Sequence, residues 1–135
     1  MKRRSKNSGY KPCGNRRKPF GFANRKQLFN NYRYQNPKRG VIFNLNEEEF
    51  YSLTSGSCFY CGSKPLQVIS GPNTNGEYRY NGIDRLDNQK GYEFGNCVPC
   101  CKKCNQAKGV MGLAEFIDFI GHCYRHLVLI DGENA

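Results

Sequence analysis

Two dicysteine motifs, Cys58-x-x-Cys61 and Cys101-x-x-Cys104, offer four thiolates, the number that closes a tetrahedral zinc site. The two-residue gap within each motif lets both sulfurs reach one ion, and matched pairs at this spacing are a specific signal. Between the motifs lies Asn81-Gly82-Ile83-Asp84-Arg85-Leu86-Asp87-Asn88, a polar, turn-rich stretch with two carboxylates and a guanidinium. The second motif runs straight into Asn105. A carboxylate and an amide oxygen are hard donors that suit Mg²⁺ or Mn²⁺. A hard cation of this kind is what phosphodiester hydrolysis needs, because it neutralises charge on the phosphate and the leaving oxygen. The expectation is a structural zinc that ties off a short segment whose middle carries the chemistry.

Rival motifs are weaker. Cys97-x-x-Cys100 competes as a second pair, but it falls in an expected strand, where Cys97 and Cys100 are better read as small buried residues. Cys13 and Cys123 have no partner at useful spacing. A zinc deaminase needs P-C-x-x-C and H-x-E, and Lys103 stands where the second cysteine of Pro99-Cys100 should be. A C₂H₂ finger using His122 and His126 would need a longer gap than the usual one. Both histidines fall opposite the apolar stripe of their helix and are expected to face solvent. A thioredoxin-like site would need a βαβ unit, and the pattern contains none.

These residues must be positioned by short elements. Residues 23–35 are expected to form a helix with Leu28, Phe29 and Tyr32 inward, stopped by Asn36-Pro37 and Gly40. Val41 to Leu45 reads as a short extended piece. Asn46 and Glu49 form a capping-box pattern for a second helix that buries Phe50, Tyr51 and Leu53 and ends before Gly56. Residues 66–78 read as loop, Tyr78 to Arg85 as one strand, and Tyr92 towards Val98 as a second. A helix carrying Asn105 and Lys108 follows. The clearest helix is the last, with Leu113, Phe116, Ile117, Ile120, Tyr124 and Leu127 in one apolar stripe. No isolated stripe marks a dimer interface.

Charge is unevenly spread over the 135 residues, whose formal net charge is +10. Residues 1–40 hold thirteen Lys or Arg and no acid, whereas residues 41–135 hold eight basic and eleven acidic residues. A basic arm on a near-neutral body points to a polyanionic partner, DNA or RNA. The N-terminal residues lead into no apolar segment of the signal-peptide kind, and no run is long enough to span a bilayer, so an intracellular setting is expected. In a reducing compartment paired C-x-x-C spacings favour metal over disulfides. The expected organisation is a flexible basic arm at 1–20, a lead-in at 21–57, a zinc-stapled core at 58–112 and an amphipathic helix at 113–130.

Gly82-Ile83-Asp84-Arg85, then Gly91-Tyr92, Asn96 and Cys101-x-x-Cys104-Asn105-x-x-Lys108 closely resemble HNH endonucleases of the ββα-metal fold. The likeness covers roughly residues 58–116 and is to the zinc-stapled branch in which Asp-Arg replaces Asp-His, as in PacI-type restriction enzymes and free-standing phage nucleases. The resemblance implies an α+β, treble-clef-like ββα core with a four-cysteine zinc site and flanking helices. It implies a DNA endonuclease, of phage or viral type inside a host cell, with homing, restriction or genome processing as possible roles. In that family the positions of Asp84 and Asn105 hold the catalytic metal, and that of Asn96 braces the loop. Arg85 stands where the common form has its general-base histidine, and a guanidinium cannot accept a proton but can clamp a phosphate. The base is therefore open: Tyr80, which shares strand parity with Asp84, ranks first, ahead of Asp87, His122, His126 or direct loss of a proton from metal-bound water. Lys108, Arg79, Lys38 and Arg39 are expected to meet the nucleic-acid backbone, and a homodimer would place two sites on opposite strands. The competing expectations are a non-catalytic zinc module that binds DNA or RNA and a treble-clef protein adaptor.

Overall fold

The computed structural model describes residues 17–133, so Cys13 and most of the basic arm lie outside the described residues. Residues 18–21 of that segment are pinned rather than loose, because Asn75 donates to the Lys18 carbonyl at 2.9 Å and accepts from the Gly21 amide at 2.7 Å. Helix α1 (Phe22–Lys38) runs further than its sequence suggests and carries Pro37 in its final turn. A proline there sacrifices only one hydrogen bond, so it shapes the exit without breaking the helix. Leu28 and Phe29 are buried on the inward face, and Arg25 stacks over the rings of Phe22 and Tyr51.

After the short strand β1 (Phe43–Asn44), helix α2 (Glu47–Thr54) begins with the expected capping box. The Asn46 side chain accepts from the Glu49 amide at 2.8 Å, and Glu49 accepts from the Asn46 amide at 2.9 Å. Phe50 is fully buried where α2 meets α1, with its ring edge-on to Phe29 and Tyr32.

The strands differ from their sequence reading in one important way. Residues 66–78 are not all loop: β2 (Gln67–Ile69) pairs antiparallel with β3 (Tyr78–Tyr80). The expected strand from Tyr78 to Arg85 is then two strands, because Asn81 interrupts it. The Asn81 side chain is buried and donates to the carbonyls of Gly56 and Ser63, while its amide donates to Thr54. Beyond it, β4 (Gly82–Arg85) pairs with a different partner, β6 (Cys97–Cys100), in antiparallel register that sets Asp84 opposite Val98. Strand β5 (Tyr92–Glu93) is separate and pairs in parallel with β1.

Helix α3 (Lys102–Lys108) follows β6 directly, and Cys101 caps it by accepting from the Cys104 amide. The hairpin β4–β6 with α3 is a small ββα unit, and the molecule is α+β. Leu28, Phe29, Leu45, Phe50, Ile83 and Cys97 make the core that backs this unit.

Helix α4 (Leu113–Glu133) is amphipathic as its periodicity indicates, but its stripe does not join the core. Phe116 is buried against Tyr60, whereas Ile117, Ile120, Tyr124 and Leu127 are largely exposed. Periodicity reports that a helix has an apolar face and not what covers it. Among the described residues, no helix is long and apolar enough to cross a membrane.

Candidate active site and metal centre

The two knuckles converge. The sulfurs of Cys58, Cys61, Cys101 and Cys104 all lie within 4.8 Å of one another, and those of Cys61 and Cys101 are 3.7 Å apart. A tetrahedron with Zn–S bonds of ~2.3 Å has S–S edges of about 3.8 Å, so the cluster fits one ion. Local backbone builds this geometry. Cys58 donates to the Ser63 carbonyl at 2.8 Å, Gly62 donates back to Cys58 at 2.8 Å, and Gly62 takes a left-handed φ of 75° that suits glycine.

The thiols are chemically unequal. Hydrogen bonds from Ser63 draw Cys61 down to about 6. Burial opposes ionisation of Cys58, yet the amides of Cys101, Cys61 and Tyr60 bring it below the ordinary thiol value. Cys104 is pushed up, first by burial and then by the neighbouring thiols. Four thiolates this close cannot all be charged without a cation, which is the condition a bound divalent metal relieves. The competing pair behaves differently. Cys97 and Cys100 are buried and raised to about 11 and about 12 by that burial, as expected of small core residues rather than ligands.

Beside the cluster, a cavity of about 520 Å³ is lined by Asp84, Arg85 and Asn105 together with Arg39, Asn88 and Tyr92. Asp84 comes from the middle of β4, and Asn105 from the exposed side of α3. Arg85 donates to the carbonyls of Asn88 at 3.1 Å and Lys90 at 2.9 Å and lies over the Tyr92 ring, so its guanidinium is held at the cavity wall. Asn96 is buried behind the loop: its side chain accepts from the Asp87 amide and donates to the carbonyls of Asp87 and Gly91. Asn88 ties the same loop to the α3–α4 link by donating to the Val110 carbonyl at 2.8 Å.

Asp84 has two further partners. Tyr60 donates to its Oδ2 at 2.6 Å, and the Lys108 ammonium lies 3.1 Å from the same oxygen. Burial, then the bond to Asp84 and the carboxylate's charge, hold the Tyr60 phenol well above its ordinary value. Lys108 is 1% exposed. It therefore does not stand free on the helix surface or reach out to a phosphate, and instead closes a buried ion pair.

The other residues singled out from sequence are elsewhere. Tyr80 is not brought to Asp84. It lies on β3, stacked against Tyr78 and packed on the core, because the break at Asn81 cancels the shared parity that an unbroken strand would have imposed. Arg79 is exposed on β3 and paired with Glu77. Lys38 is exposed at the end of α1, outside the cavity lining that includes Arg39. His122 and His126 are exposed on α4. Sequence reasoning missed Tyr60, although its place inside Cys58-Phe59-Tyr60-Cys61 fixes it beside the second knuckle and hence near β4.

No family profile matches the chain. The solved structure of the rare-cutting HNH restriction endonuclease PacI superposes with a TM-score of 0.53 at 21% identity, over 80% of this chain and 81% of that one. The fold is HNH-like. In sequence, the uncharacterized protein R423 of Acanthamoeba polyphaga mimivirus is 35% identical over 80 residues, 59% of this chain. The match spans only 13% of that viral protein.

Proposed function

We propose that this HNH-like fold is a metal-dependent endonuclease that hydrolyses phosphodiester bonds in DNA. The observation that carries the reading is the meeting of Asp84, Asn105 and two guanidinium groups in one cavity beside a four-thiol cluster. The cluster suits a structural zinc, because four thiolates match its ligand preference. Asp84 and Asn105 suit Mg²⁺ or Mn²⁺, because both offer oxygen and the cavity leaves room for retained waters. A cation held by Asp84 and Asn105 would supply Lewis-acid charge to the phosphate.

The chain's own residues account for the rest. Arg85 and Arg39 bind the phosphate oxygens and orient the phosphorus. Asn96 holds the loop between β4 and β5 and so fixes where Arg85 ends. Tyr60, rather than Tyr80, is the phenol at the acid: it donates to Asp84 Oδ2 and so orients that carboxylate towards the cavity. Exposed Lys26, Arg33 and Lys38 on α1, with Arg79 and the basic residues before position 20, hold the polyanionic backbone. If six phosphate contacts form, binding falls with salt at a log–log slope of about −5.

Plasmid nicking with Mg²⁺ or Mn²⁺ against a chelator tests the reading. Wild type is expected to nick only with the metal, and Asp84→Asn to lose at least about 10³-fold in rate while still binding DNA. Asp84→Ala is less clean, because besides the charge, which both variants remove, it takes away the oxygen to which Tyr60 and Lys108 donate. Metal-independent nicking, or full activity in Asp84→Asn, overturns the assignment. The alternative of a non-catalytic zinc module that binds DNA or RNA is favoured by one observation, the ion pair that already satisfies Asp84. It predicts salt-sensitive binding with no nicking under any metal.

A further inference from the structure

We propose that α4 is a dimerisation helix that pairs with α4 of a second copy of this chain in antiparallel orientation. The inference is independent of the nuclease reading. Leu113, Ile117, Ile120, Tyr124 and Leu127 recur at alternating steps of four and three, the seven-residue repeat of a helix–helix seam. A helix that merely packs on a globular core has no need of this period. Beyond the first turn the repeat is left open to solvent, with Ile117 58%, Ile120 46%, Tyr124 66% and Leu127 60% exposed. Val128, beside the seam, is exposed as well.

Among the described residues nothing covers this face. The core packs α1, α2 and the strands, and α4 meets the body through Phe116 against Tyr60. Residues 1–16 contribute Met1, Tyr10, Pro12 and Cys13 among many basic and polar residues, too few apolar side chains for a seam of this length. A second copy supplies a matching one. At 1.5 Å per residue α4 is about 30 Å long, and two such helices packed side by side bury on the order of 1,200 Å² in total, the lower end of a specific interface.

Antiparallel orientation follows from charge and shape. Parallel pairing would set Asp131, which continues the repeat, against its own copy in the seam. It would also bring both globular bodies to the same end. Antiparallel pairing stacks Ile120 on Tyr124 and Ile117 on Leu127, and keeps the bodies at opposite ends. The flanking Cys123 then faces Cys123 of the second copy near the twofold axis, whereas in a parallel pair it would face Val128.

Analytical ultracentrifugation of the full zinc-loaded chain over a wide concentration range, without DNA, tests the proposal. Wild type is expected to sediment as a dimer. Ile120→Glu and, separately, Tyr124→Glu are expected to weaken association at least about 100-fold, since each buries an unpaired charge in the seam. Zinc content and the near-ultraviolet signal of the body should be unchanged, because neither residue touches the core. A monomeric wild type, or a dimer indifferent to both substitutions, overturns the proposal. Copper–phenanthroline oxidation reads the orientation: wild type should form a disulfide-linked dimer that Cys123→Ser abolishes. Failure to form that link overturns the antiparallel arrangement.

Discussion

The four-thiol cluster and the Asp84 carboxylate are neighbours with opposite electrostatic designs. The thiols find hydrogen bonds from backbone amides, Ser63 and one another, and among the described residues no lysine or arginine is paired with them. Asp84 has its cation already, in Lys108, and a phenol donor besides. The first arrangement is suited to completion by a metal ion. The second is balanced without one. On the function proposed above, the same small unit would separate a structural ion from an exchangeable one.

Breaking the cluster should have the largest effect. Cys61→Ser, or prolonged chelation of wild type, is expected to remove zinc and cooperative unfolding together, because structural zinc contributes on the order of 10 kcal/mol in small domains. A variant that melts like wild type, followed by circular dichroism, would break the contrast outright. Next comes Lys108→Met, which strips Asp84 of its counter-charge. In chelator it should cost about 3 kcal/mol, as loss of one partner of a buried pair does. Saturating Mg²⁺ should recover much of that deficit, and an equal deficit with and without Mg²⁺ would show that no cation exchanges at Asp84. Denaturant melts under both conditions supply the measurement.

The smallest stability effect sharpens the comparison further. Since the folded pKa of Tyr60 is raised, its bond to Asp84 contributes fully below the unfolded phenol value of about 10 and is lost only in more alkaline solution. Tyr60→Phe should therefore cost about 1 kcal/mol at neutral pH, as deletion of a partly exposed hydrogen bond does. Its nicking rate should fall about 10-fold with DNA affinity kept, as loss of one orienting hydrogen bond to Asp84 does. Unimpaired nicking would show that Lys108 alone keeps the carboxylate in place.

How far the sequence carried follows the range of the interactions involved. The capping box at Asn46 and Glu49 and the cysteine knuckles are local patterns, and both stand where the residues place them. Asn81 is the counter-example. Nothing in its neighbours announces a break, because the carbonyls that capture it belong to Thr54, Gly56 and Ser63. That one non-local capture takes Tyr80 away from Asp84 and leaves the place to Tyr60. Lys108 was equally opaque: a lysine on a short helix is ordinarily solvated, and only the packing of α3 on β4 buries it. The stripe of α4 was visible as a pattern, but its exposure depends on where the rest of the chain goes.

The ring of Tyr60 is gripped three times, at its oxygen by Asp84 and on its ring by Phe59 and by Phe116, whose plane crosses it at 79°. Turning that ring means giving up a hydrogen bond or an aromatic contact. Phe116 belongs to the first turn of α4, so a shift of that helix would reach the acid through a single phenol.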